Sequence, residues 1–332
     1  MAGLTLGGGF GWLTPQMGLS LDNLVAAQVV LADGSCVRAS EEENPDLFWA
    51  LRGGGGNFGV VTSFEYQLQP LGPEVHVALL FWDLDRSVEA LRLAREVATD
   101  LPGETSCLLA AGLNAPPAPF VPEKYHFVAG NALIVAGFSS AERHQRMVEP
   151  IMTALPPLFE FVTPMPYTAL QQMLDDAAPW GIYAYTKSLY CDELSNEAID
   201  VVAAQLPHKN SPMSFLPIQP LGGAYRDVDD AATAFGGSRK ARFSFELAAV
   251  APDPELLAAD REWVRALWQQ LLPHANQAAG YVNMMSEYED ERVRLTYGPA
   301  KYERLARIKA KYDPDNVFHL NANIKPALGG AG

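Results

Sequence analysis

Glycine is concentrated in two short clusters near the start of the chain, and these clusters restrict what the chain can fold into. Twelve of the 27 glycines lie in the first 60 of 332 residues, mostly within 7–11 and 53–59. Glycine weakens helices and strands, so such a cluster usually serves a backbone that approaches a ligand closely. The flanking segments have strong helix and strand patterns, which favours a ligand site, although a pair of flexible loops stays an alternative.

Composition and charge exclude several classes of protein. Hydrophobic residues make up 48% and charged residues 19%, as in a globular protein. The net charge of -15 argues against nucleic-acid and anionic-membrane partners, and the longest apolar runs are too short to cross a membrane. The N-terminus has no signal-peptide pattern, and Cys36, Cys107 and Cys191 are widely spaced. We therefore expect a cytoplasmic protein without disulfides or a metal site.

Local patterns predict an α+β chain. The first 66 residues have the pattern of a strand at 25–32, a turn at Asp33-Gly34, a helix from Pro45 and a strand at 60–66. In the rest of the chain, the patterns predict helices at 86–100, 141–154, 192–205, 254–272 and 299–312, strands at 106–113, 127–138, 182–190 and 242–249, and loops at 115–122 and 155–166.

The glycines at 54, 56 and 59 fit the dinucleotide-binding pattern only formally. That pattern requires a strand before the glycines and a helix after them, whereas here the helix comes first. The chain also has no phosphate-binding P-loop motif, no G-x-S-x-G motif and no paired histidines at metal-binding spacing. A Rossmann-type site, a serine hydrolase and a metalloenzyme are therefore disfavoured.

Two long motifs at opposite ends of the chain are more specific. The first comprises Leu6-Gly7-Gly8-Gly9-Phe10-Gly11, residues 18–23 and residues 44–62, and the second comprises Tyr281-Val282-Asn283 and residues 312–326. Together they closely resemble the FAD-linked oxidases of the berberine bridge enzyme type.

The resemblance implies a two-lobed α+β flavoprotein of the PCMH type. Residues 1–73 would form the remaining part of the FAD-binding domain, 74–275 a substrate domain with an antiparallel sheet and helices, and 276–328 a segment that returns to the FAD domain. The implied activity is oxidation of an alcohol, a sugar or a secondary metabolite by hydride transfer to flavin N5, with dioxygen as acceptor. The implied partner is a small-molecule substrate.

The resemblance also assigns site residues. Those expected near FAD are Gly7, Gly8, Gly9, Asp22, Asn23, Gly55, Gly56, Asn57, Gly59, Val60, Asn321 and Asn323. Many relatives read Tyr-x-Asn-Tyr where this chain has Met284 as the fourth residue, and a thioether cannot act as a base. Tyr281 is therefore the first catalytic candidate, with Tyr185, Lys187 and Gln219 as proton or orientation partners. The alternation of Tyr183, Tyr185 and Lys187 also fits an ordinary half-exposed strand.

The family pattern starts earlier than this sequence does. Relatives carry a further N-terminal lobe whose loop holds the FAD pyrophosphate and whose His, often with a Cys, bonds to the flavin. The resemblance implies that this chain lacks that part, through a late start codon, a truncation, or a separate chain that supplies the lobe. One alternative is a noncatalytic ligand-binding or assembly subunit. A carbohydrate hydrolase finds little support, because Asp175 and Asp176 are adjacent rather than set across a cleft.

Overall fold

The computed structural model describes residues 1–175, 179–276, 280–320 and 322–327. Asp176 of the adjacent carboxylates and the expected cofactor residue Asn321 lie outside the described residues. The chain divides into two compact units. The first unit comprises Met1–Gln69, Gly222–Lys240 and Ala278–Gly332, and the second comprises Pro70–Leu221 and Ala241–Gln277.

Helices and strands alternate along both units, so the predicted α+β class is confirmed. The strands are β1 (Leu24–Val30), β2 (Cys36–Ser40), β3 (Val60–Tyr66), β4 (Glu74–Asp83), β5 (Thr105–Asn114), β6 (Ala129–Gly137), β7 (Phe159–Pro166), β8 (Tyr183–Cys191), β9 (Leu216–Pro220) and β10 (Phe243–Ala251). The helices are α1 (Ala2–Gly7), α2 (Thr14–Met17), α3 (Pro45–Leu51), α4 (Ser87–Thr99), α5 (Ala141–Ala154), α6 (Tyr167–Gln172), α7 (Asn196–Gln205), α8 (Ala224–Asp227), α9 (Pro254–Leu271) and α10 (Asp290–Tyr312).

The first unit contains an antiparallel sheet with strand order β2-β1-β3. The β1–β2 turn forms at Gly34, which has a φ of 82°, as the Asp33-Gly34 pair predicts. Helices α3 and α10 pack together in one apolar cluster with side chains such as Phe48, Leu305 and Ile308. This core brings the start and the end of the chain together.

Helix α10 comprises two helical stretches, and the second is the helix predicted at 299–312. Helix α10 begins at Asp290 and bends at Gly298, where φ is 70° and ψ is 163°. Pro299 follows the bend, and its ring is compatible with the first turn of the second half of the helix. The proline therefore stands at the start of the second helical stretch, as the sequence predicts.

The second unit contains an antiparallel sheet with strand order β7-β4-β6-β5-β9-β10-β8. Side chains from alternate positions of this sheet form one apolar core with α4, α5, α7 and α9. Residues between those positions point to the opposite sheet face.

The predicted loop at 155–166 is wrong, because most of it forms the edge strand β7. Pro164 and Pro166 lack an N–H donor and therefore disfavour a central strand. In the described sheet, β7 lies at the edge and pairs with β4 on one side, so its outer side needs no hydrogen-bond donors. Throughout the part of the chain that the structure describes, helices are too short or too polar to cross a bilayer.

Candidate functional site

A cavity of about 720 Å³ lies in the first unit. This volume is in the range of small-molecule and cofactor sites, which extend from about 300 to 1,000 Å³. One wall is the glycine-rich turn 54–57 that follows α3, and another is the segment that follows α10. The lining residues are Gly3, Leu4, Leu6, Gly54, Gly55, Gly56, Asn57, Val282, Asn283, Tyr288, Tyr297, Val317, Phe318, His319, Leu320 and Ala322.

Glycine is required where this turn leaves α3. Gly53 has a φ of 124°, and a Cβ there would lie 2.2 Å from the backbone nitrogen of Phe235. A Cβ on Gly7 would lie 2.0 Å from Oδ1 of Asn283, a lining residue of the cavity. Both glycine clusters therefore allow backbone contacts that any side chain would prevent.

Asn57 joins two walls of the cavity. Its Nδ2 donates to the carbonyl oxygens of Gly54 at 2.8 Å and Ala322 at 3.0 Å, and its Oδ1 accepts from the amide of Ile324 at 2.9 Å. The side chain is only 4% exposed, so these hydrogen bonds form out of contact with bulk water. Of the residues expected near FAD, Gly55, Gly56 and Asn57 line the cavity.

Tyr281 lies against the first glycine cluster. Its phenolic oxygen accepts hydrogen bonds from the Gly9 amide and from Nδ2 of Asn283, both at 2.8 Å. The residue is 3% exposed, and its ring meets that of Phe10 edge to face at a centroid distance of 4.9 Å. These contacts make Tyr281 a support for the Gly8–Gly9 backbone, and its catalytic role stays a prediction.

Asp22 and Asn23 have structural partners. The Asp22 carboxylate accepts from the guanidinium of Arg239 at 2.7 and 2.9 Å and from the amide of Leu19 at 2.7 Å. Nδ2 of Asn23 donates to the carbonyl oxygen of Met17 at 2.7 Å. Both residues border a second, smaller cavity of about 380 Å³ in the first unit.

Three further expected residues do not line the larger cavity. Gly59 and Val60 lie at the start of β3, where a Cβ on Gly59 would lie 2.6 Å from the carbonyl oxygen of Val30. Oδ1 of Asn323 is buried and has no hydrogen-bond partner among the residues that the structure describes. A buried acceptor without a partner is costly, and a bound ligand is one way to satisfy it.

The other catalytic candidates lie on opposite faces of the sheet in the second unit. In the β8–β10 ladder, Tyr185 pairs with Ala249 and Lys187 with Leu247, so both point to the face that α9 covers. The ammonium of Lys187 lies 4.6 Å from the ring of Trp268 in α9, and the phenol of Tyr185 accepts from Arg265. Their packing is that of a structural layer between sheet and helix.

Gln219 points to the opposite face, together with a residue that the sequence interpretation missed. Gln219 pairs with Ser244, and Glu246 follows two positions later, directly across from Ser188. Burial raises the pKa of Glu246 from an ordinary 4.5 to about 7. The available sequence signal was a single carboxylate in the otherwise apolar and small-residue strand 243–251. Perturbed carboxylates of this kind are enriched at functional sites.

The residues of the first unit fit a large planar cofactor. The cavity is lined largely by glycines and apolar side chains, and its walls expose backbone groups of the turn 54–57. Substitution of a glycine in this turn by a bulkier residue would fill space that such a ligand uses.

Several known proteins have similar sequences and folds. Residues 280–325 match the family model described as Berberine and berberine like. An FAD-linked oxidoreductase of Dictyostelium discoideum is 28% identical, over 98% of this chain and 68% of that protein. A glucooligosaccharide oxidase of Sarocladium strictum is 29% identical, also over 98% of this chain and 68% of that protein.

A solved structure shows the fold. The structure of 6-hydroxy-D-nicotine oxidase from Arthrobacter nicotinovorans superposes with a TM-score of 0.80 at 24% identity and covers 98% of this chain and 71% of that one. The chain thus shares the fold of that oxidase and spans roughly two thirds of the length of the relatives it matches. The expected cofactor, FAD, is confirmed as the cofactor of its homologues. The chain is thus similar over nearly its whole length to FAD-linked oxidoreductases, and its residues 280–325 match the berberine-like family model.

Proposed function

We propose that this chain oxidises a small alcohol, sugar or secondary metabolite, with FAD held in the cavity of the first unit. The observation that carries the proposal is the cavity of about 720 Å³ whose wall is the glycine-rich turn 54–57. Bound FAD would supply a hydride acceptor at flavin N5, and dioxygen would then take the two electrons to give hydrogen peroxide.

We propose Glu246, in the sheet of the second unit, as a proton acceptor on the chemistry of its own carboxylate. Oxidation of an alcohol removes a hydride from carbon and a proton from oxygen, so a base must take the proton. A carboxyl group with a pKa near 7 is half ionised at neutral pH and can accept that proton. Because the cause of the shift is burial, the carboxylate is more basic than an exposed glutamate.

Neutral polar side chains surround this carboxylate on its sheet face. Ser188 lies across from Glu246, Ser244 lies two positions before it, and Gln219 pairs with Ser244. Amide and hydroxyl groups hydrogen-bond well to substrate hydroxyls. We propose that Gln219 orients the substrate, as expected from the sequence, and that Tyr281 acts by holding the Gly8–Gly9 backbone. Roles for Tyr185 and Lys187 in proton transfer remain predictions.

The relatives guide the choice of substrates. One is a glucooligosaccharide oxidase and a structural neighbour is a 6-hydroxy-D-nicotine oxidase, so glucooligosaccharides and hydroxylated N-heterocycles form the first panel. Turnover is measured as oxygen consumption and hydrogen peroxide formation by the FAD-loaded, full-length chain.

The matched variants are Glu246→Gln and Glu123→Gln. Glu123 is an exposed glutamate of the same unit and serves as the control. Removal of the base should lower kcat at least 100-fold, because general-base catalysis contributes roughly 100- to 10,000-fold. The control should keep its activity. Turnover by Glu246→Gln at the wild-type rate would exclude this residue as the base. If the FAD-loaded chain turned over none of the substrates, the proposed oxidation of these two substrate classes would be contradicted.

A further inference from the structure

A completely buried ion pair lies at the end of α10. Lys309 and Asp313, one helical turn apart, both have fully buried side chains. Nζ of Lys309 donates to the Asp313 carboxylate and, at 2.6 Å each, to the carbonyl oxygens of Asn57 and Phe318. An ammonium group has three N–H donors, and all three are used.

Asp313 continues this network into the segment that follows α10. Its carboxylate accepts hydrogen bonds from the amides of Val317 at 2.8 Å and Phe318 at 2.9 Å. Desolvation would raise the pKa of Asp313, but the hydrogen bonds from Lys309 and these amides outweigh it and lower the pKa. The carboxylate is therefore ionised at neutral pH and keeps its charge opposite Lys309.

Both ends of the network are walls of the larger cavity. Asn57 ends the glycine-rich turn, and Phe318 belongs to what we term the closing segment, residues 317–320 and 322–324. Asn57 makes a second connection to this segment through Ala322 and Ile324. Lys309 thus binds one carbonyl on each wall with a single nitrogen atom.

Stability alone gives little reason for such a pair. Desolvation of two charges offsets much of their attraction, and apolar side chains of similar volume often give equal or greater stability. What apolar side chains cannot supply is a set of directed hydrogen bonds to two separate backbone segments. The network therefore points to a need for defined geometry at the cavity.

We propose that Lys309 is a positioning residue that fixes the glycine-rich turn relative to the closing segment and thereby sets the affinity of the cavity for FAD. The part about FAD rests on the proposed function. The part about the two walls depends only on the chain itself.

The test compares Lys309→Met with Lys301→Met in the full-length chain. Lys301 is a matched control, because it lies on the same helix, donates to the Phe235 carbonyl at 2.7 Å and pairs with Asp230 at 3.0 Å. It does not line the cavity. Amide hydrogen exchange is measured without FAD, and the dissociation constant for FAD is measured by quenching of protein fluorescence.

In Lys309→Met, exchange should accelerate at least tenfold in both the turn 54–57 and the closing segment, while β1 keeps its wild-type rate. FAD should bind at least tenfold more weakly. Lys301→Met should leave exchange in both walls and the FAD affinity within twofold of wild type, even if its Tm falls equally. If Lys309→Met fails to fold, Asp313→Asn, which keeps the shape of the side chain, is measured in the same way.

Wild-type exchange in either wall of Lys309→Met would overturn the proposal, as would equal acceleration in Lys301→Met. Unchanged FAD affinity with both walls loosened would overturn the link to the cofactor. If the wild-type chain binds no FAD, the proposed function and this link fail together, whereas the exchange data still decide whether Lys309 positions the walls.

Discussion

The phenolic oxygen of Tyr281 accepts a hydrogen bond from the amide of Gly9 at 2.8 Å, across a sequence separation of 272 residues. The same oxygen accepts from Nδ2 of Asn283. One buried hydroxyl thus connects the first glycine cluster to the start of the segment that matches the family model. The contact shows why the two most specific motifs of the sequence lie at opposite ends of the chain.

Replacement of Tyr281 by Phe should lower stability. The Gly9 amide and the Asn283 side chain would lose a buried acceptor, which costs roughly 1–3 kcal/mol. Urea denaturation of both proteins measures the difference. The control is Tyr288→Phe, because Tyr288 also lines the cavity but its side chain is exposed (39%). Equal stability of Tyr281→Phe and wild type would show that the hydroxyl does not support the first glycine cluster.

Two alanine substitutions in the second glycine cluster should behave in opposite ways. Gly53 has a φ of 124°, and Gly53→Ala would place a Cβ 2.2 Å from the backbone nitrogen of Phe235. The backbone at one of these two positions must therefore move. We expect a loss of roughly 3 kcal/mol or more from strain and overpacking.

Gly56→Ala is the control for this prediction, because a Cβ there has no neighbour within 4 Å. Its stability should stay within about 0.5 kcal/mol of wild type. Thermal and urea unfolding of the two variants give the comparison. Similar stabilities for both variants would mean that residue 53 does not need the positive φ and the close approach to Phe235 that favour glycine.

Burial of Glu246 makes stability dependent on pH. The unfolded chain ionises this glutamate near pH 4.5, whereas the folded chain retains the proton up to about pH 7. The folded state binds more protons between these values, so this residue lowers stability as pH rises from 4.5 to 7. The shift corresponds to roughly 3 kcal/mol, since one pKa unit is about 1.4 kcal/mol.

Glu246→Gln removes this contribution. The stability of the variant minus that of wild type should increase across pH 4.5 to 7 and level off above it. Glu123→Gln, at an exposed position, should show a constant difference. Parallel pH profiles for Glu246→Gln and wild type would contradict a raised pKa at this position.

The ion pair between Asp22 and Arg239 should be sensitive to loss of one partner. Both side chains are less than a tenth exposed, so Arg239→Met leaves a buried carboxylate without its cation. Such a change costs roughly 3–5 kcal/mol. The control is Arg307→Met, which breaks an exposed pair with Glu303 and should leave Tm unchanged. Equal Tm values for the two variants would argue against the buried pair.

The longer helices and the strands β5, β6, β8 and β10 were predicted because their signals are local, whereas β4 and β9 were not predicted. The helix predicted at 141–154 matches α5 residue for residue, since Ser140 caps its first turn and apolar residues follow at helical spacing. The strand β7 was missed because its prolines are typical of loops, and only the position of β7 at a sheet edge makes them acceptable.

The site was predictable in part. Gly55, Gly56 and Asn57 line the cavity, as the glycine cluster suggested. The contacts of Tyr281 and Lys309 depend on the approach of chain ends more than 250 residues apart, which no local pattern encodes. Glu246 was missed because a single carboxylate in a strand acquires its pKa only from the surrounding burial.

The central claim is that this 332-residue chain holds FAD in the cavity of its first unit. The most direct measurement is the visible absorption spectrum of the purified chain, taken after incubation with FAD and removal of the excess. We predict that a flavin absorption band stays with the protein and is weakened in Lys309→Met. A colourless wild-type protein would contradict the claim.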